Sequence, residues 1–474
     1  MGSWQENIGS AIDTVNTDQT ITGKDKAIAT YPRYIYIILV VFLFLSYARP
    51  QDIFPSLNVF HMPMVLISIL TIDVAILRFG MCRFFINVSD KMIFAFLMAM
   101  ILSIVSSIWI SQSIISISEF IKIYLTCFLI INVANTRDRI HGLMKVIVIA
   151  SFLISIVQII VYLYAGVNRI TGLGGYGLNF AQIISSSQSA EGVGGYVNGF
   201  LGNASDLGVG MLVALPLAIF LSLYERNGSL KILYRIIALC FLISIILSGS
   251  RGAYLGLGVI ALYHWLNSKR KALLLVTILS VLAVSVVFVL PGKLIARVKS
   301  IQAYTSDEST NIRMELWNAG LRIFIDHPVL GVGVGNFPTA YGQSYHPEKS
   351  GGVAWWNPHN IFIHTLSEMG LVGFLAYIGL IVSIYRQNRT FGKGRGSKAG
   401  RHLVNDNARN ALNYSLFGFL ISGQFITVTY YPHLFYLGAL SSVYYSIGKG
   451  LSEDQHRSRF PEDGNESRDS RYPL

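Results

Sequence analysis

The chain has 474 residues, of which 53% are hydrophobic and 13% charged; a soluble globular domain carries about twice that charged fraction, so this is a membrane protein. The same figures exclude collagen, coiled coil and intrinsic disorder. The 37 Lys and Arg against 25 Asp and Glu, a net charge of +12, would point to nucleic acid on a soluble protein, but the basic residues sit in short loops between apolar runs, where they set orientation and meet anionic membrane lipids.

In chain order, residues 1 to 33 are polar and form a cytoplasmic N-terminal tail. The first apolar run, 34 to 48, lies too deep for a signal peptide and ends in Arg49-Pro50 without a small-residue cleavage site, so it is an uncleaved anchor. Glu6 stands where myristoylation wants Ser or Thr. Runs suited to crossing about 30 Å of hydrocarbon then fall at 64 to 77, 92 to 110, 114 to 134, 143 to 165, 207 to 223, 234 to 250, 252 to 266 and 272 to 290. Three more follow at 361 to 385, 411 to 428 and 432 to 448, and the second and eighth runs are short for a full crossing.

Alternate loops carry Arg78, Arg83 and Lys91; Arg137, Arg139 and Lys145; Arg226, Lys231 and Arg235; Lys269, Arg270 and Lys271; and the basic stretch from Arg386 to Arg409. That alternation predicts an all-α polytopic membrane protein of about twelve transmembrane helices with both ends inside and one large outward (periplasmic) loop containing short helices. The expected organisation is a cytoplasmic tail over 1–33, transmembrane helices 1–9 over 34–290, the periplasmic loop over 291–360, transmembrane helices 10–12 over 361–448, and a charged, disordered cytoplasmic tail over 449–474. Charges inside the spans cost about 2.5 to 3.5 kcal/mol each at mid-helix. Glu119 and Lys122, three apart, are expected to pair on one helix face, and Asp73 to reach water near a cytoplasmic end. Cys82, Cys127 and Cys240 have no metal-ligand spacing and give no disulfide framework.

The outward loops hold the chemistry. The Gly- and Ser-rich loop from Gly166 to Asp206 carries one basic residue, Arg169, and ends in Gly-Asn-Ala-Ser-Asp, where Ser205 or Asp206 can cap the sixth span. Arg251 stands in Ser248-Gly-Ser-Arg-Gly252, a run otherwise without charge; a snorkelling arginine is the plain reading, and an anion site in which a guanidinium lies beside open backbone N–H groups is the favoured one. In the long loop, Lys293 to Tyr304 is amphipathic and lies along the membrane surface. A helix over 312 to 326, capped by Ser309, Thr310 or Asn311, contains Arg313, Trp317 and Arg322 and ends at His327-Pro328. Gly331-Val-Gly333-Val-Gly335-Asn336-Phe337 is a backbone turn, because no strand precedes it as a nucleotide fingerprint requires. Trp355-Trp356-Asn357-Pro358-His359-Asn360 leaves His359 at a helix N-terminus, whose dipole keeps the imidazole neutral and able to accept a proton. The tryptophans suit an interfacial belt or a sugar-stacking platform.

Ser248-Gly-Ser-Arg251-Gly252, Arg313 with Trp317, His327-Pro328 with Gly331 to Phe337, and His359-Asn360 followed by Gly370-Leu-Val-Gly373 together resemble the O-antigen ligase and polymerase superfamily of bacterial envelope glycosyltransferases, over roughly residues 166 to 385. The resemblance implies transfer of a glycan from an undecaprenyl pyrophosphate carrier to an acceptor at the outer face of the bacterial cytoplasmic (inner) membrane. The acceptor is lipid A core in the ligases of lipopolysaccharide biosynthesis, another repeat unit in the polymerases and a protein hydroxyl in further members. The family's essential histidine falls on His359 and its arginine on Arg251. Arg169 corresponds to an earlier arginine, although its separation from Gly202-Asn203 is longer than the family pattern has.

The residues suit that chemistry. The leaving pyrophosphate concentrates negative charge that Arg251, with Arg313 or Arg169, can bind bidentately. His359 can act as general base on the acceptor hydroxyl, with Asn360 and Trp356 as further substrate-binding residues. No Asp-x-Asp pair lies in the outward loops, so a metal-independent, inverting displacement without cofactor is expected, and a ligase is favoured over a polymerase; Asp307 and Glu308 are the residues on which a metal would have to rely. The rival class is a secondary transporter, against which stand the lack of a clear repeat between halves, the few mid-membrane charges and the concentration of polar residues in one outer loop.

Overall fold

The structure, a computed structural model, describes residues 31–50, 56, 61–171, 204–248, 250–267, 308–346, 356–390 and 406–459. The ninth expected span at 272 to 290 and the amphipathic stretch from Lys293 to Tyr304 lie outside them. The described residues form helices without strands. In chain order these are α1 (Arg33–Ala48), α2 (Met62–Thr71), α3 (Val88–Leu102), α4 (Ile110–Val133), α5 (Arg137–Thr171), α6 (Ala204–Tyr224) and α7 (Gly228–Leu247). They continue as α8 (Arg251–Asn267), α9 (Glu308–Asp326), α10 (Phe337–Ala340), α11 (Ile361–Thr390), α12 (Asp406–Ser422) and α13 (Pro432–Arg459).

Among the described residues, six helices are long and apolar enough to cross a membrane: α3 with its following 3-10 turn, α4, the first part of α5, α6, α7 and α11. Shorter apolar helices occupy the first two expected spans, the second ending in a π-helical turn over Ile72–Leu77. Large apolar side chains stand exposed along the outer faces, among them Ile37, Ile69, Ile114, Leu153, Ile219, Leu239 and Leu255, as a lipid-facing surface requires. The chain is a helical membrane protein.

Of the six, α6 is the most enclosed, with 83% of its apolar window buried against 33% for α7. It packs between α5, α7 and α12. Pro216 removes one donor from its hydrogen-bond ladder, and Ser415 of α12 donates to the Val213 carbonyl at 2.7 Å, a bond that ties α12 to α6. A second group joins α3, α4, α11 and α13 around Phe96, Phe120, Tyr377 and Phe435, whose rings meet edge-on or tilted.

Several expected boundaries move. Helix α5 covers Arg137–Thr171, so Arg169 stands on a helix instead of in a loop; Gly166 does not interrupt it. Helix α9 starts at Glu308 and takes Ser309, Thr310 and Asn311 inside its first turn, where they are not caps. Asp206 likewise falls within the first turn of α6. The eleventh span ends at Ser422 instead of 428. Helix α13 carries the expected tail on to Arg459, because Ser452 to Arg459 holds no Gly or Pro to stop it. Glu119 and Lys122 pair as expected, at 2.5 Å. Asp73 does not simply face water: it accepts from Tyr34 Oη at 2.8 Å and from Arg78 Nε at 2.9 Å.

Candidate functional site

The chain between α12 and α13, residues 423–431, is where the ends of several helices meet. Ser422 Oγ, at its entrance, donates to the Gly252 carbonyl at 3.0 Å. A Cβ on Gly252 would lie 3.0 Å from Ser422 O, so this glycine admits the connection against the start of α8. Arg251 is the first residue of α8 and is exposed beside that contact. At the far end, Tyr431 Oη donates to Asp206 Oδ2 at 2.6 Å, tying down the start of α6; Asp206 is 6% exposed and its carboxylate serves this contact.

The start of α11 meets the same connection. Ile361 N–H donates to Gly423 O at 2.9 Å. Asn360 Oδ1 accepts from the N–H groups of Phe362 and Ile363 at 2.9 and 3.1 Å, and its amide donates to Gln424 Oε1 at 3.1 Å. Its side chain is therefore engaged in capping the helix and anchoring the connection. One residue earlier, His359 adopts a left-handed backbone with φ of 49°, and its Nδ1 lies 3.3 Å from Thr427 Oγ1. Trp317 of α9 donates to the neighbouring Pro358 carbonyl at 2.8 Å.

The surroundings of His359 favour the neutral imidazole. Burial is the main cause, and the electrostatic effects of Arg313 and of neighbouring His364 add to it, lowering its pKa from the usual 6.5 to about 4. Arg313 is thus electrostatically coupled to His359 across the packing of α9 on α11. Trp356 is 45% exposed two residues before Pro358. The structure brings the segments bearing Arg251, Arg313, His359 and Asn360 together around one connection.

The glycine stretch is a backbone turn, as expected, and it is deeply placed. Gly331, Gly333 and Gly335 have φ of 67°, 93° and 80°, a region that favours glycine. The turn fills a break in α11, where Gly370 has φ of 58° and ψ of −155°. Val332 and Gly333 N–H donate to Ser367 O and Glu368 O, both at 3.0 Å; Leu371 and Val372 N–H donate to Pro328 O and Val329 O at 2.8 and 3.3 Å. These four bonds replace those the helix loses, which a spanning helix must do. A Cβ on Gly331 would lie 2.4 Å from Glu368 backbone, and one on Gly370 would lie 2.4 Å from Val329 backbone. The turn also inserts into the α3–α4 junction, where Asn336 donates to Ser107 Oγ and Ser113 Oγ, both at 2.9 Å. Against it, Leu316, Ala319 and Ile323 of α9 close a small core with Val332, Phe337 and Tyr341.

Sequence reasoning missed two residues of this region. His364 and Glu368 are fully buried, 3.2 Å apart on one face of α11. The signal was present: an acid and a histidine four apart inside an apolar run are costly without partners, and the run from 361 to 385 contains both.

Residues 236–378 match the O-antigen ligase family. This segment holds Arg251, Arg313, the glycine turn, His359, His364, Glu368 and both Gly370 and Gly373, and omits Arg169. A curated relative, the ComP-specific O-oligosaccharyltransferase of Acinetobacter baylyi, is 22% identical over 177 residues, 36% of this chain and 31% of the relative; the match thus spans about a third of that protein's length. The resemblance to the O-antigen ligase superfamily read from the motifs is therefore shown, with the family match lying over residues 236–378.

Proposed function

We propose, from the family match over residues 236–378, that this protein is a membrane glycosyltransferase. It moves a glycan from an undecaprenyl pyrophosphate carrier to an acceptor at the outer face of the bacterial cytoplasmic membrane, in the first instance as an O-antigen ligase acting on lipid A core. The observation that carries the proposal is the convergence of Gly252, next to Arg251, and of His359, coupled to Arg313, on the 423–431 connection. The topology that accompanies it has twelve spans, both termini inside, and residues 291–360 in the periplasm. Its support is that the helix ends meeting at the 423–431 connection and the α3–α4 junction belong to the set poor in Lys and Arg.

In this reading Arg251 and Arg313 bind the pyrophosphate oxygens and stabilise the charge that develops as the glycosidic bond breaks. Arg169, on α5, and Trp356 extend the substrate surface. His359 takes the acceptor hydroxyl proton on Nε2, in the tautomer in which Nδ1–H donates to Thr427 Oγ1. Asn360 acts by holding the turn that carries His359. The displacement is metal-independent and inverts the anomeric centre.

His359→Ala tests the proposal in a cell-surface glycan assay. Loss of high-molecular-weight glycan with accumulation of the lipid-linked precursor is expected; unchanged glycan with altered solute uptake would favour the transporter class and end it. The Acinetobacter relative's name gives a second reading, in which the acceptor is a protein hydroxyl. Reconstitution with lipid-linked glycan separates the readings by product: one addition to lipid A core for a ligase, a ladder for a polymerase, a glycosylated polypeptide for an oligosaccharyltransferase.

A further inference from the structure

Glu368 lies in the third turn of α11 and is fully buried. Its two oxygens collect partners from separate stretches of chain. Oε2 accepts from Gly335 N–H at 2.8 Å and from the Tyr430 hydroxyl at 2.5 Å. Oε1 accepts from Phe337 N–H at 2.9 Å and faces His364 Nε2 at 3.2 Å. On its other side His364 Nδ1 meets the Thr429 hydroxyl at 3.0 Å. An apolar side chain would fill this space at lower desolvation cost, so what the carboxylate adds is its capacity to accept several bonds at once.

Those bonds lead to the two supports of His359. Tyr430 and Thr429 belong to the connection whose Thr427 meets the imidazole. Gly335 and Phe337 belong to the turn that packs on α9, whose Trp317 holds the Pro358 carbonyl. His359 itself has a left-handed backbone, a conformation that persists where the surroundings over-determine it. We infer that Glu368, acting through Tyr430 and through His364, is a positioning residue that sets the place of His359 by fixing both supports together. The inference deepens the proposed function, since it takes His359 as the reacting group, but its first test does not depend on transfer.

The test is chemical modification of the full-length protein in nanodiscs by diethyl pyrocarbonate, which attacks the neutral imidazole, with modification at His359 followed by mass spectrometry across pH. The groups acting on that ring are Arg313 from α9, His364 from α11 and Thr427 from the connection. In the wild-type protein the rate at His359 is low and falls to half near pH 4, because the ring is buried. Glu368→Gln and Tyr430→Phe, at unchanged fold by circular dichroism, are expected to raise the rate severalfold near neutral pH and to move the midpoint toward 6.5 as water reaches the ring. A wild-type rate and midpoint in both variants overturns the inference. Tyr430→Phe, which removes one hydroxyl and keeps the ring, carries the test alone if Glu368→Gln does not accumulate.

Transfer assays separate the two proposals. If His359→Ala leaves transfer intact, the proposed function fails while the modification result still decides the positioning role. If His359→Ala abolishes transfer, Glu368→Gln is expected to lower kcat about tenfold with KM for the lipid-linked donor unchanged; a wild-type kcat then overturns positioning.

Discussion

Glu119 and Lys122 meet three residues apart on α4 with about a third of each side chain exposed, whereas His364 and Glu368 meet four apart on α11 with none. The first pair is local: both partners belong to the same turn. In the second, the carboxylate also receives two backbone N–H groups and a tyrosine from stretches far away in sequence. The difference teaches that an ionisable residue in an apolar helix can serve two ends. It can be neutralised by its neighbour on the way into the membrane, or it can be the point where separate segments are joined.

The largest test of that contrast is Glu368→Ala. It strands Gly335 N–H, Phe337 N–H and the Tyr430 hydroxyl in a buried site, and should cost about 3–5 kcal/mol, read as a large drop in the unfolding midpoint in detergent. Gly370→Ala comes next, at about 3 kcal/mol, since the new Cβ would press on Val329 backbone at a φ of 58°; a wild-type midpoint would mean that the turn is not seated in the helix break. The pH dependence of transfer is a milder probe. A base must be neutral to act, and the lowered pKa of His359 keeps it so above about 4. Transfer should therefore be flat from about pH 7 to 5 and fall as pH drops through about 4, where an ordinary histidine would already fail near 6.5; a fall centred near 6.5 would show a ring in open water. The smallest effect belongs to Glu119→Gln, which disturbs no other segment and leaves only the Lys122 ammonium without its neighbour, expected to cost less than the roughly 2.5 kcal/mol of an unpaired mid-span lysine because the long stem can carry the charge toward the interface.

Much of the layout was legible from the sequence because apolar runs of spanning length have few alternatives in a chain this poor in charge. Arg251 and His359 were legible because each stands out among small or uncharged residues, and Arg313 because it shares a short outer helix with Trp317. The 423–431 connection was not. Phe425 to Tyr431 is apolar by composition and reads as the end of a span, and nothing in its local pattern marks it as the meeting place of helix starts more than sixty positions away. The role of the glycine turn was half legible: three glycines at alternate positions announce a left-handed turn, but the helix break that receives it lies beyond any local window. His364 and Glu368 were in plain view as charges in an apolar run, and were passed over because the run was long enough to count as a span.

The break at Gly370 also bears on how the chain is made. The segment that completes α11, Pro328 to Gly333, is synthesised before the helix it repairs. A nascent α11 entering the lipid phase therefore presents bare carbonyls and amides to a partner that has already left the ribosome. Assembly of this part of the protein can thus proceed in the order of translation, with the patch waiting for the gap.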